Sequence, residues 1–305
     1  MNISNLLYNV RACAPALVLG LTLVACSSGD EPETLVSQNK NANSTVICSY
    51  ADRLEFPKLS SNGHSITIVH RTSDKYDPQG VNFATEWDYQ LGSQRWSCYQ
   101  MHRGFGGTWA RYDYKNDKDG DGRQYPWDAD LSRDYYDPID NFYSSGFDHG
   151  HICPAADRSY SFLADKQTFY MTNMQPQYNK FNAGLWAKLE SQIRTWTNAS
   201  GCECIYVAKG ATIDREQDIL KRINGKLIAP KYFFCALLAK NAQGYKAIAF
   251  WMLNENVDKT TDKLGDYAIS IDELERRTGI DFFCNLPDET EDDREARCDL
   301  TAWGL

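Results

Sequence analysis

At 305 residues the chain can form one large domain or two small ones. Its formal net charge of −9 excludes a uniformly basic surface, so any hold on a polyanion must come from local Lys and Arg. Much of the acid lies in the N-terminal stretch and in Asp288-Glu289-Thr290-Glu291-Asp292-Asp293.

Arg11 precedes an apolar run, Ala14 to Val24, that is too short to span a membrane and reads as the core of a signal peptide. It ends in Leu23-Val24-Ala25-Cys26, which resembles the lipobox of bacterial lipoproteins. That resemblance implies a signal over residues 1–25, lipidation at Cys26, and an exported protein anchored to a membrane, periplasmic or at the cell surface. Residues 26–45 are rich in Ser, Asn, Glu and Thr and read as a flexible tether, because they bury too little apolar area to order themselves. Residues 46–305 then form a single domain. With Cys13 in the signal and Cys26 lipidated, eight of the ten cysteines remain, and an even number in an exported chain suggests disulfides. The pairing expected is Cys284 with Cys298, closing an acidic C-terminal loop. Cys202-Glu203-Cys204 puts two sulfurs on one side of a strand, and neither a Cys-x-x-Cys pair nor a His cluster supports zinc there.

Further along, His64 to Thr72, Val81 to Asp88 and Arg95 to Met101 are rich in β-branched and aromatic residues and are predicted strands. Residues 103–146 are rich in Gly, Asp and Tyr, a long irregular connection. Within it, Asp117-Lys118-Asp119-Gly120-Asp121-Gly122 begins like a Ca²⁺ loop with Asp128 at the twelfth position, but the usual bidentate Glu is missing and an acidic Gly-rich turn is the favoured reading. Asp148 to Ile152 is a predicted strand and Ala164 to Met171 a short helix. Apolar residues at 185, 186, 189 and 193 predict an amphipathic helix from Asn182 to about Thr197. Ile205 to Ala208, Tyr232 to Ala239 and Ala247 to Leu253 are predicted core strands. Ser270-Ile271-Asp272-Glu273 is a capping box for a helix to about Arg277. This order predicts an α+β fold with a mainly antiparallel central sheet flanked by helices.

Residues 147–190 are the most informative stretch. Asp148-His149-Gly150-His151 is followed by Pro154-Ala155-Ala156-Asp157-Arg158, by Thr172-Asn173-Met174-Gln175-Pro176-Gln177, and by Asn182-x-Gly184-x-Trp186-x-x-Leu189-Glu190. These motifs, in this order and spacing, resemble the DNA/RNA non-specific endonucleases, the ββα-metal nucleases, with weaker similarity over roughly residues 80 to 287. The resemblance implies a ββα-metal site and a metal-dependent, sugar-non-specific endonuclease acting on DNA and RNA and leaving 5′-phosphates.

The residues themselves suit that chemistry. Phosphodiester hydrolysis needs a water deprotonated as it attacks phosphorus, and the imidazole of His151 titrates in the right range to take that proton. Gly150 leaves room for a phosphate. Asn182 offers a neutral carbonyl oxygen of the kind Mg²⁺ accepts, with Mn²⁺ able to substitute, and taken alone it could equally be a helix N-cap. Glu190 stands two turns on, where the resemblance implies a role in orienting the metal's waters. Trp186 reads as core. Arg158 and Asn173 are candidate substrate contacts, with a turn role open for Asn173, and Lys180 and Lys188 complete a candidate basic groove with Arg158. His149 departs from the family, which usually has Arg there to stabilise charge on the phosphorane. Arg123 is the candidate for a second family arginine. Two alternatives stay open: a catalytically weakened nucleic-acid-binding member of the fold, and a phosphodiesterase acting on small nucleotides.

Overall fold

The computed structural model describes residues 39–72, 77–104, 107, 109–136 and 140–305. The signal, the lipobox with Cys26 and most of the tether lie outside them. In chain order the elements are β1 (Ser65–Arg71), β2 (Val81–Asp88), β3 (Ser93–His102), β4 (Asp148–His151), α1 (Phe162–Thr168), β5 (Met174–Gln177), a π-helical turn (Phe181–Trp186) running into α2 (Ala187–Asn198), β6 (Cys202–Ala211), β7 (Ile219–Ile223), β8 (Leu227–Pro230), β9 (Tyr232–Asn241), β10 (Gly244–Leu253), β11 (Ala268–Ile269), α3 (Ile271–Thr278), α4 (Asp288–Glu295) and α5 (Leu300–Trp303).

Seven strands pair antiparallel in the order β1-β2-β3-β6-β9-β10-β11. The interior strand β9 shows why both faces are covered. Its Phe233, Cys235 and Leu237 pack with Phe181, Leu185, Trp186, Leu189 and Ile193. The alternate residues Phe234, Ala236 and Leu238 pack with Ile271, Leu274, Phe282 and Phe283. Successive side chains in a strand point to opposite faces, so a nearly unbroken apolar run is what a strand between two layers requires. The expected α+β class, with a mainly antiparallel central sheet flanked by helices, is what the chain adopts.

Element positions match the sequence expectations closely, and the differences have local causes. The helix expected over Ala164 to Met171 starts earlier because Ser161 caps it, its side chain accepting from Ala164 N–H. Ser270 caps α3 as expected and accepts from Glu273 N–H, but Glu273 bonds Arg276 and Arg277 instead of closing the reciprocal box. The strands β5, β7 and β8 and the helices α4 and α5 were not legible: β5 contains Pro176, and α4 is almost wholly charged.

Two expectations are corrected here, and a third, favoured reading agrees with the structure. The tether does not extend to residue 45: Asn39 Nδ2 donates to Leu286 O at 2.5 Å, and Asn43 Nδ2 donates to Pro57 O at 3.0 Å, docking this stretch on the domain. Cys284 and Cys298 are not joined, since Cys284 is buried in the core and Cys298 is exposed; all eight cysteines among the described residues are free thiols. The Asp117 to Asp128 stretch fits the favoured reading of an acidic turn, with its first and twelfth carboxylates held by protein partners: Asp117 bonds Lys166 Nζ at 2.6 Å, and Asp128 pairs with His70 at 2.9 Å.

Candidate active site

Strand β4 carries Asp148, His149, Gly150 and His151 in a two-stranded ribbon with β5, with His151 opposite Met174 and His149 opposite Pro176. The turn Phe181–Trp186 closes against this ribbon: Trp186 is buried, as expected of core, and its Nε1 donates to His151 O at 3.3 Å. Between ribbon and turn lies an open cleft of 460 Å³. Asp148, His149, His151, Asn182 and Glu190 line it, together with Arg111 and Tyr125.

His151 carries the bare ring nitrogen that a proton acceptor needs. Its Nε2 is buried without a hydrogen-bond partner, and the ring also bonds the His149 backbone. With Nε2 unpartnered, that bond belongs to Nδ1, whose N–H donates to the carbonyl, so Nε2 is the bare nitrogen. Burial, reinforced by the charges of Arg111 and His149, holds the imidazole far below its usual range, at about 3. The ring meets the Phe169 ring edge to face at 4.7 Å.

Asn182 sits where the helix is underwound into a π-turn, with its carbonyl accepting from Ala187 N–H five residues on. Such π-turns often mark functional positions. Its Nδ2 donates to Asp148 Oδ2 at 3.0 Å, and Asn179 Nδ2 donates to the same oxygen at 3.0 Å. Asp148 thereby fixes which end of the Asn182 amide is donor and leaves Oδ1 as the acceptor. Glu190 accepts from the fully buried Lys209 Nζ at 3.2 Å. Burial raises the Glu190 carboxyl and the Lys209 charge opposes it, with a net rise.

His149 occupies a slot in the cleft wall. Its ring stacks on Tyr125 at 3.7 Å and on Phe142 at 4.2 Å, and Nε2 lies 3.1 Å from both carboxylate oxygens of Asp140. Burial works to raise the Asp140 carboxyl, but the His149 bond and charge outweigh it and hold it below its usual value. His149 is therefore in the cleft, with its outer nitrogen engaged by Asp140.

Several expectations do not hold. Arg158 cannot contact substrate: it is 1% exposed, its guanidinium lies over Tyr99 at 4.5 Å, and Nη2 donates to Gln100 O at 2.9 Å. Asn173 is fully buried, donating to Cys153 O at 2.8 Å and Thr168 O at 2.7 Å, so the turn role is the one it has. Lys188 bonds the carbonyls of Thr260 and Asp262, so the groove of Arg158, Lys180 and Lys188 is not assembled. Arg123 is exposed and does not line the cleft, although its charge reaches Asp140. Arg111 is the arginine that lines it, 4.8 Å from the Phe169 ring centroid, and the sequence offered no signal for it inside an irregular connection. The space at Gly150 is also not for phosphate: a Cβ there would lie 2.2 Å from the side chain of Gln177.

The donor set fits the hard divalent cation that the resemblance implies. A neutral amide oxygen held in orientation, a carboxylate two helical turns on, and an open cleft for water suit an ion that takes few protein oxygens. A second group, His70, Asp128 and Asp130, also has donor atoms within 4.8 Å. There His70 Nε2 and Asp128 Oδ2 are already bonded to each other and buried, away from the cleft.

The architecture and this cleft define a nuclease of the ββα-metal type, and comparison with known proteins agrees. Residues 70–289 match the model of the DNA/RNA non-specific endonuclease family, and the chain belongs to it. It is 27% identical to a nuclease from a Nostoc species over 249 residues, covering 79% of this chain and 85% of that protein. It is 24% identical over 194 residues to a nuclease of Serratia marcescens, covering 60% of this chain and 71% of that one. A solved EndoG/EndoGI complex has a chain of the same fold, with a TM-score of 0.59 at 18% identity over 79% of this chain and 91% of its own.

Proposed function

We propose that the protein is an exported, membrane-anchored, metal-dependent endonuclease that cuts DNA and RNA and leaves 5′-phosphates. The observation that carries this reading is the bare, buried Nε2 of His151 facing a cleft it shares with Asn182 and Glu190. Asn182 would hold the cation, with Glu190 orienting its waters. When bound, Mg²⁺ or Mn²⁺ supplies positive charge to the phosphoryl oxygens and the leaving oxygen. His151 Nε2 takes the proton of a water as that water attacks phosphorus, and the bond from phosphorus to the 3′ oxygen breaks. The phosphate then stays on the 5′ side. Arg111 supplies a permanent positive charge on the same wall. Cleavage of supercoiled plasmid and of single-stranded RNA by the purified protein, with end-group analysis of the products, tests this reading. Cleavage of a small nucleotide diester without cleavage of polymer would contradict it.

The anchoring part of the proposal rests on Leu23-Val24-Ala25-Cys26. Acyl chains on Cys26 would supply the membrane affinity. A Cys26→Ser protein should leave the membrane fraction, and its persistence there would contradict the anchor.

A further inference from the structure

Away from the cleft, α3 and α4 gather carboxyl groups that no catalytic step uses. Asp272, Glu275 and Glu295 each place a carboxylate oxygen within 4.8 Å of the other two. The charged groups acting most strongly on Glu295 are all acidic: Glu275, Glu291, Asp281 and Asp272. Nearby cations are committed elsewhere. Arg276 and Arg277 bond Glu273, Arg294 and Arg297 pair with Asp293, and Lys58 bonds the carbonyls of Asn41 and Ala42.

Two buried oxygens here lack partners. Glu295 is only 5% exposed, and its Oε1 has no hydrogen-bond donor. Asn41 Oδ1 is also buried and unpartnered, while Asn41 Nδ2 donates to Glu291 Oε1 at 2.9 Å and Asp281 Oδ2 at 3.2 Å. A buried anionic oxygen without a donor is costly unless a positive charge meets it.

We propose that Asp272, Glu275 and Glu295 form a binding site for a hard divalent cation of the Ca²⁺ class, separate from the catalytic cleft. Carboxylates alone, without His or Cys, select an oxygen-seeking ion over zinc. Carboxylates from two helices that can bind through one or both oxygens suit the larger, more flexible shell of Ca²⁺ better than the strict octahedron of Mg²⁺. The ion would tie α3 to α4, the helix on which the N-terminal stretch docks: Asn41 Nδ2 donates to Glu291, and Lys40 N–H donates to Asp288 at 2.9 Å. The competing arrangement is protons in place of the ion: burial and the neighbouring acids push Glu295 up to about 10.

The test is thermal unfolding of the full chain stripped with EDTA and then titrated with Ca²⁺. At a Ca²⁺ concentration 100 times the Kd, Tm should rise by roughly 5–10 °C. A Glu275→Gln/Glu295→Gln variant should lose that rise, and Asn182→Ala should keep it. No rise in the native chain, or an undiminished rise in the double variant, overturns the site. If the double variant does not fold, equilibrium dialysis of Asn182→Ala protein against Ca²⁺ decides: one ion per chain supports the site, and none overturns it.

Discussion

Asp148 Oδ2 accepts a hydrogen bond from Asn182 Nδ2 at 3.0 Å, linking the strand that carries His151, the proposed general base, to the helical turn that carries Asn182, the proposed metal ligand. The sequence shows both residues, 34 positions apart, but nothing in their spacing shows that one aims the other.

Asp148→Ala should therefore impair metal use without touching the metal directly. Residues that orient a ligand typically matter by about 10–100-fold in affinity or activity. The Mn²⁺ concentration giving half-maximal plasmid nicking should rise by that order, and an unchanged value would remove Asp148 from the site.

Arg158→Ala should behave as a core mutation. Truncating a fully buried large side chain costs on the order of 2–5 kcal/mol. Urea unfolding should show that loss, while nicking per folded molecule stays within about threefold of native. A selective loss of activity at native stability would restore Arg158 as a substrate contact.

His149→Arg places a planar, permanently charged group in a slot shaped by Tyr125, Phe142 and Asp140. Guanidinium stacks on aromatic faces and meets carboxylate through two bonds, so the slot can accept it. An imidazole carries charge only when protonated. The variant should cut faster at neutral pH, because its charge does not depend on a proton. Equal rates at neutral pH would show that His149 only fills the wall.

Protonation of His151 should be legible in stability. Its pKa in the fold, about 3, lies below the ordinary value near 6.5, so the unfolded chain binds the extra proton between those limits. Stability from this group is complete above about pH 6.5 and is lost as pH falls toward 3. The slope is at most about 1.4 kcal/mol per pH unit. Urea unfolding of native and His151→Asn protein at pH 4, 5 and 6 should show the native chain falling more steeply. Parallel slopes would mean that the imidazole is not desolvated in the fold.

The sequence was most legible where chemistry and periodicity coincide. Val81 to Asp88 followed from its β-branched and aromatic residues and the Asn182 helix from apolar spacing, and His151, Asn182 and Glu190 do share one cleft. It was least legible where burial decides. Arg158 and Asn173 stand inside motif segments, yet their side chains turn to backbone carbonyls within the core. Arg111 reaches the cleft from a connection with no periodic pattern, and only tertiary packing brings it there.

The most direct measurement of the central claim is the single-turnover nicking rate of His151→Ala in saturating Mn²⁺, with folding checked by circular dichroism. Loss of a general base should lower that rate by about 10²–10⁴-fold and leave the spectrum unchanged. A folded variant that keeps more than half the native rate would contradict the assignment of His151 as the base.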